Sequence, residues 1–90
     1  MKSRAEPSFW KQYRQVPIDV RLRARKAYRL WQLNPAHPGL AFKRLNMPMP
    51  LFSVRITQSY RAVARLKDDA FIWFFIGNHD DYMRLIASVS

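Results

Sequence analysis

The sequence predicts an α+β fold: two N-terminal helices, an antiparallel sheet of three to four strands, and a short C-terminal helix. Apolar residues recur at helical spacing in the first third of the chain and alternate at a period of two between residues 52 and 66. A helix-capping residue follows the last apolar run. Ninety residues predict a single domain spanning residues 1–90.

Two helices are predicted in the N-terminal third. Pro7 and Ser8 open the first helix, and Pro17 separates it from the second. The second helix is predicted from Ile18 to Leu33, because Asn34-Pro35 disfavours a further helical turn. Its buried side is predicted to consist of Val20, Ala24, Ala27, Tyr28 and Trp31.

The predicted strands follow a loop at Asn34–Gly39. A short strand is expected around residues 42–45, and a half-buried strand at residues 52–57 alternates apolar and polar side chains. Residues 60–66 form the next strand. The run from Phe71 to Ile76 is apolar on both faces, which predicts the central strand of the sheet.

The last helix is predicted to begin after Asn78, which can accept a hydrogen bond from the first turn. Asp80 and Asp81 lie in that turn, where negative charge is favourable. The apolar side that docks this helix is predicted to be Tyr82, Leu85, Ile86 and Val89.

Charge restricts the function. Sixteen Lys and Arg against six Asp and Glu give a net charge of +10. This excess predicts a negatively charged partner, either nucleic acid or an acidic protein, because self-repulsion at this density opposes folding. A basic surface kept for solubility is the alternative. For the helical column Arg21, Arg25 and Arg29, a solvated face and a face that follows phosphates remain equally open.

Several classes of site are not supported. The chain has no cysteine, and its longest apolar run, Ala70–Gly77, is shorter than the roughly 20 residues of a membrane span. These features predict a soluble, cytoplasmic protein without membrane contact. His79, Asp80 and Asp81 are the only acid and histidine cluster, and successive helical positions diverge. We therefore expect no metal and no cofactor.

Metal-free RNA cleavage is compatible with the remaining residues. The ribose 2′-oxygen can attack the adjacent phosphate if the site stabilises charge and exchanges protons. Arg55 and Arg61, on neighbouring strands near a turn, can bind the phosphate. His79 and Tyr82 share a helix face at i, i+3 spacing and can transfer protons.

Structural roles for these residues remain open alongside the catalytic ones. Arg61 can pair with Asp68 or Asp69 across the hairpin, and His79 can complete a turn beside the cap. Tyr82 is at core spacing with Leu85. His37, which lies in a loop between prolines, is predicted to be structural.

Four phrases carry a family resemblance: Phe42-Lys43-Arg44-Leu45, Phe52–Ile56, Tyr60-Arg61-Ala62-Val63 and Ile72–Tyr82. Together they resemble the RelE/ParE-superfamily toxins of bacterial type II toxin–antitoxin systems, over roughly Ser8 to Leu85. The resemblance implies a microbial-RNase-like fold, with two helices packed on a twisted antiparallel sheet. It also implies a cognate antitoxin as partner.

The resemblance implies two activities. RelE-like members cleave messenger RNA on the ribosome without metal, and ParE-like members poison DNA gyrase by binding. By position, Arg61 matches the arginine that binds the scissile phosphate and Arg55 matches one of two basic strand residues. Ser53 occupies the other of these two positions, where the family has a basic residue. We expect catalysis by Arg55, Arg61, His79 and Tyr82, and RNA binding by Lys43, Arg44 and Arg65. A gyrase poison, a non-catalytic RNA-binding domain and an inactive toxin are the alternatives.

Overall fold

The protein is described by a computed structural model that covers residues 2–89. The helices are α1 (Pro7–Tyr13), α2 (Ile18–Leu33) and α3 (His79–Val89), with a short 3₁₀ turn at Pro38–Leu40. The strands are β1 (Lys2–Ala5), β2 (Lys43–Arg44), β3 (Leu51–Arg55), β4 (Tyr60–Lys67) and β5 (Ala70–Asn78). They form one sheet in the order β1-β5-β4-β3-β2.

The predicted α+β class is confirmed, but the sheet is larger and mixed. It has five strands rather than three to four, because β1 pairs in parallel with residues 70–73 of β5. The strand β1 is short and its residues are mostly polar, so no alternation of apolar and polar side chains predicts it. The apolar strand β5 is interior, as expected, but β4 occupies the middle position of the sheet.

Helix α2 covers one face of the sheet through the predicted apolar stripe. Trp31 is 1% exposed and makes edge-on ring contacts with Phe71 at 5.3 Å and Trp73 at 5.2 Å. Val20 and Ala27 of the same stripe are buried. The aromatic contacts fix the position of α2 against β5.

Helix α3 covers the opposite face. Its predicted docking residues pack on a second core formed by Leu45, Leu51 and Val63. The expectation that β3 is half-buried is therefore wrong, since helices lie over both faces of the sheet. Ser53, expected to face solvent, is only 2% exposed. None of the helices in residues 2–89 is long and apolar enough to cross a membrane.

Helix α1 protects the edge of β5 where β1 ends. The side-chain amide of Gln12 donates a hydrogen bond to the Phe74 carbonyl at 3.2 Å. Its oxygen accepts one from the Ile76 N–H at 3.2 Å. One side chain thus replaces a missing strand partner at a place where β5 also changes register against β4.

Candidate functional site

Arg55 and Arg61 occupy directly opposed positions on β3 and β4, and Gly77 of β5 continues the same row. Residues paired across strands project from the same face of a sheet. Val63, two residues after Arg61, belongs to the core beneath α3. Both arginines therefore project from the face that α3 covers, at the end of the sheet where α3 begins.

Main-chain oxygens contact both guanidinium groups, closely at Arg61 and at the limit of hydrogen-bond distance at Arg55. Arg61 Nη1 donates to the carbonyls of the β3–β4 turn, and Arg55 Nη2 donates to Gly39 O at 3.5 Å. The Arg61 acceptors are Thr57 O at 2.7 Å, Tyr60 O at 3.0 Å and Gln58 O at 3.3 Å. Because these acceptors are neutral, the positive charge of the two groups stays uncompensated.

The ion pair considered for Arg61 is not formed. Asp68 and Asp69 lie in the β4–β5 turn, both with positive φ, at the opposite end of β4 from Arg61. Within residues 2–89, the ion pairs are Arg65–Glu6 and Arg84–Asp81. Neither involves Arg55 or Arg61, so both remain available to an anion.

The first turn of α3 stands at the end of the arginine row. Helix α3 follows β5 directly, and Asn78 Oδ1 accepts the Asp81 N–H at 2.8 Å, which confirms the predicted cap. The His79 N–H donates to Ser59 O at 2.8 Å. The β3–β4 turn therefore contacts both Arg61 and the start of α3.

His79 and Tyr82 share a face of α3, as the spacing predicted. Their ring centroids lie 6.4 Å apart at an interplanar angle of 75°. His79 is exposed, whereas Tyr82 is half-buried against the core beneath α3. Arg55 and Arg61 thus lie at the end of the sheet where α3 begins, and His79 and Tyr82 lie in the first turn of that helix. No hydrogen bond within residues 2–89 joins either arginine to His79 or Tyr82.

The three candidate RNA-binding residues lie in different parts of the sheet. Lys43 pairs with Ser53 and so lies on the face of Arg55. Arg44 pairs with Phe52 and projects from the opposite face. Arg65 lies about 13 Å along β4 from Arg61, where it forms an ion pair with Glu6. Lys43 alone of the three lies on the face of Arg55 and Arg61 without an ion pair, one row along the sheet from them.

The arginines of the α2 column also differ in their contacts. Arg21 Nε donates to Val16 O at 3.0 Å, and Arg25 Nε donates to the Tyr13 hydroxyl at 3.0 Å. These two side chains join α2 to α1 and the connection between them. Arg29 makes no side-chain contact of this kind within residues 2–89 and is exposed.

A cavity of about 350 Å³ lies on the α2 side of the sheet. Exposed Arg4, Arg25 and Arg29 complete its lining, and none pairs with a carboxylate within residues 2–89. The cavity is thus apolar inside and cationic where it opens. Its aromatic walls are Phe9, Trp10, Tyr13, Tyr28, Trp31 and Trp73.

Sequence reasoning missed the main-chain acceptors of the site. The Gly39 carbonyl reaches Arg55 across sixteen residues of chain, and no local pattern encodes that contact. Residues 2–89 contain no group of three His, Cys, Asp or Glu side chains that could hold a metal ion.

Comparison with known proteins assigns the family. A family model described as a ParE-like toxin domain matches residues 19–84, which is most of the chain. The protein belongs to the ParE-like toxin family. The predicted RelE/ParE membership is thereby confirmed. No curated protein sequence matches the chain.

Solved structures share the toxin fold. The YoeB/ParE toxin from Agrobacterium tumefaciens is 20% identical, with 88% of this chain and 99% of that chain covered and a TM-score of 0.69. The RelB-RelE antitoxin-toxin complex from Methanococcus jannaschii is 16% identical, with 90% of this chain and 95% of that chain covered and a TM-score of 0.72. The isolated E. coli RelE toxin is 17% identical, with 99% of this chain and 98% of that chain covered and a TM-score of 0.63. At these identities the likeness describes the fold of this ParE-like toxin.

Proposed function

We propose that this ParE-like toxin cleaves messenger RNA on the ribosome, in the cytoplasm, without a metal ion. The observation that carries the proposal is the opposed pair Arg55 and Arg61, whose guanidinium groups are held by neutral carbonyls. Two fixed cations without acidic partners suit a phosphate that gains charge in the transition state.

The proposed reaction is transfer within the RNA. The ribose 2′-oxygen attacks the adjacent phosphorus while the bond from phosphorus to the 5′-oxygen breaks, which leaves a 2′,3′-cyclic phosphate and a free 5′-hydroxyl. One proton leaves the 2′-hydroxyl and one reaches the 5′-oxygen. We assign these transfers to His79 and Tyr82, and the phosphate charge to Arg55 and Arg61. Lys43 binds a flanking phosphate.

We further propose that a cognate antitoxin occupies the cavity on the α2 side. The cavity is apolar within, and its arginines Arg4, Arg25 and Arg29 have no acidic partners in residues 2–89. An acidic segment that carries apolar side chains complements both properties. The structure from Methanococcus jannaschii is itself described as an antitoxin-toxin complex.

Expression in growing bacteria tests the proposed activity. We expect growth arrest with new messenger RNA ends, and neither effect with Arg61→Ala. The purified protein with programmed ribosomes should yield fragments with 5′-hydroxyl ends. Growth arrest with intact messages would overturn the proposal.

A gyrase poison is the competing function, since the matching family model is ParE-like. It predicts trapped DNA breaks, and toxicity that survives Arg61→Ala or His79→Ala. The same expression experiment separates the two, because each activity damages a different nucleic acid.

A further inference from the structure

The loop before β2 is closed by hydrogen bonds to the main chain and side chain of His37. The His37 N–H donates to Asn34 O at 3.0 Å, and the Leu40 N–H donates to His37 O at 3.1 Å. Leu40 is 2% exposed and belongs to the core beneath α2. The loop is therefore held at both ends, although the His37 side chain is exposed.

The His37 ring is fixed against Gly39. Its Nδ1 accepts the Gly39 N–H at 3.0 Å. A Cβ added to Gly39 would lie 3.1 Å from that nitrogen and 3.2 Å from Cε1, which is closer than most Cβ contacts. The ring thus packs on Gly39, a position without a side chain.

This contact determines the tautomer of His37. A ring nitrogen accepts a hydrogen bond only when it carries no proton, so in the neutral ring the proton is on Nε2. In this tautomer the ring contacts the Pro38–Gly39 peptide, and the Gly39 carbonyl belongs to the next peptide along the chain.

The Gly39 carbonyl continues the contact to the candidate site, because it accepts a hydrogen bond from Arg55 Nη2 at 3.5 Å. Arg55 stands directly opposite Arg61, and like charges in opposed positions repel each other. Without a neutral acceptor, repulsion would favour an Arg55 side chain turned away from the row.

We infer that His37 is a positioning residue: its Nδ1 accepts the N–H of the Pro38–Gly39 peptide and so restrains the Gly39 backbone, whose carbonyl, in the next peptide, contacts Arg55 beside Arg61 to receive a phosphate. The inference rests on the proposed role of Arg55 in binding RNA. It gives a function to the His-Pro-Gly segment that the sequence suggested only as structural.

Substitutions at His37 separate the acceptor from the rest of the ring. His37→Asn keeps an acceptor oxygen at the same distance along the side chain and can accept the Gly39 N–H. His37→Ala removes the acceptor. His37→Gln places its amide one carbon farther away, near the position of Nε2. The inference predicts that only His37→Asn retains the function of the loop.

Binding of a single-stranded oligonucleotide of 2′-deoxynucleotides, which has no attacking hydroxyl, measures the effect without cleavage. Each phosphate contact adds about 0.7 to the slope of log affinity against log salt. We expect His37→Ala and Arg55→Ala to lower this slope by the same amount, and His37→Asn to keep it. A wild-type slope in His37→Ala would overturn the inference.

Double mutants supply the control. If His37 acts through Arg55, His37→Ala should weaken binding no further in an Arg55→Ala background, but by its full factor in an Arg61→Ala background. Equal losses in both backgrounds would place the effect of His37 elsewhere and overturn the inference.

Nuclear magnetic resonance decides the question independently of RNA. The ¹⁵N shifts of His37 should show an unprotonated Nδ1 and a protonated Nε2. The Arg55 side-chain N–H resonances should move in His37→Ala and return in His37→Asn. Unmoved Arg55 resonances would refute the positioning role. A protein that passes this test but binds no oligonucleotide would instead contradict the proposed function.

Discussion

Arg55 and Arg61 face each other across β3 and β4, and each side chain is held by main-chain carbonyls. Opposed like charges destabilise a strand pair, and no carboxylate within residues 2–89 forms an ion pair with either arginine. A stability-driven arrangement would place an acid at one of these positions. This arrangement supports the proposed phosphate-binding role of the two arginines.

Removal of either arginine should reduce cleavage far more than stability. We expect Arg61→Ala to lower kcat on the order of 10²–10³, the effect typical of losing one group that stabilises transition-state charge. The lost carbonyl contacts should cost about 1 kcal/mol of unfolding free energy. Single-turnover cleavage and urea unfolding measure the two effects. Arg44→Ala, on the opposite face, is the control and should retain cleavage.

Tyr82→Phe separates packing from proton transfer. The phenyl ring keeps its contacts with the core beneath α3, and the hydroxyl makes no hydrogen bond within residues 2–89. We expect thermal stability to change little and the cleavage rate to fall on the order of 10²–10⁴. Tyr60→Phe, whose side chain lies on the opposite face, should cleave normally. Equal rates in the two variants would exclude Tyr82 from catalysis.

Gln12→Ala should destabilise the fold without touching the site. The substitution leaves the Phe74 carbonyl and the Ile76 N–H without their partner at the edge of β5. We expect a loss of about 1–3 kcal/mol, measured by urea unfolding. Gln15→Ala, an exposed neighbour on the same segment, should unfold like the wild type. A stable Gln12→Ala variant would show that the edge does not need this side chain.

Gly77→Ala should disturb the junction between β5 and α3. A Cβ there would lie 2.8 Å from Phe75 Cζ and 3.4 Å from Asp81 Cβ. We expect a cost of about 1–3 kcal/mol from overpacking, together with slower cleavage, because Gly77 lies in the arginine row. Adding Phe75→Leu should recover part of the stability by a double-mutant cycle. Strict additivity would mean that the ring contact is not the cause.

The ion pair between Arg65 and Glu6 predicts a small role for Arg65 in RNA binding. Its side chain is 38% exposed and Glu6 is 32% exposed, so the pair contributes at most about 1 kcal/mol. We expect Arg65→Ala to change the salt slope of oligonucleotide binding less than Lys43→Ala does. A larger change in the salt slope for Arg65→Ala than for Lys43→Ala would show that Arg65 contacts the RNA.

Local patterns predicted the elements that carry their own signals. The stripe that ends at Trp31, the cap at Asn78 and the face shared by His79 and Tyr82 each depend on residues within a few positions of one another. Helical spacing and capping chemistry act over this range. These predictions therefore needed no knowledge of distant contacts.

Contacts between distant segments explain why the strand β1 and the burial of Ser53 were not predicted. The strand β1 forms because β5 offers it a partner about seventy residues away. Ser53 is buried because α3 folds back over β3. In both places a polar local sequence adopts an environment set by a distant segment, which composition and periodicity cannot reveal.

Sequence patterns alone predicted the α+β class, the excess of positive charge, the RelE/ParE-superfamily resemblance and the identity of the candidate arginines. Only the tertiary structure decided what those arginines contact, because the Gly39 loop and the β3–β4 turn reach them through chain folding. It also separated Arg44 and Arg65 from the row, since strand alternation and register assign each side chain to a face and an end of the sheet.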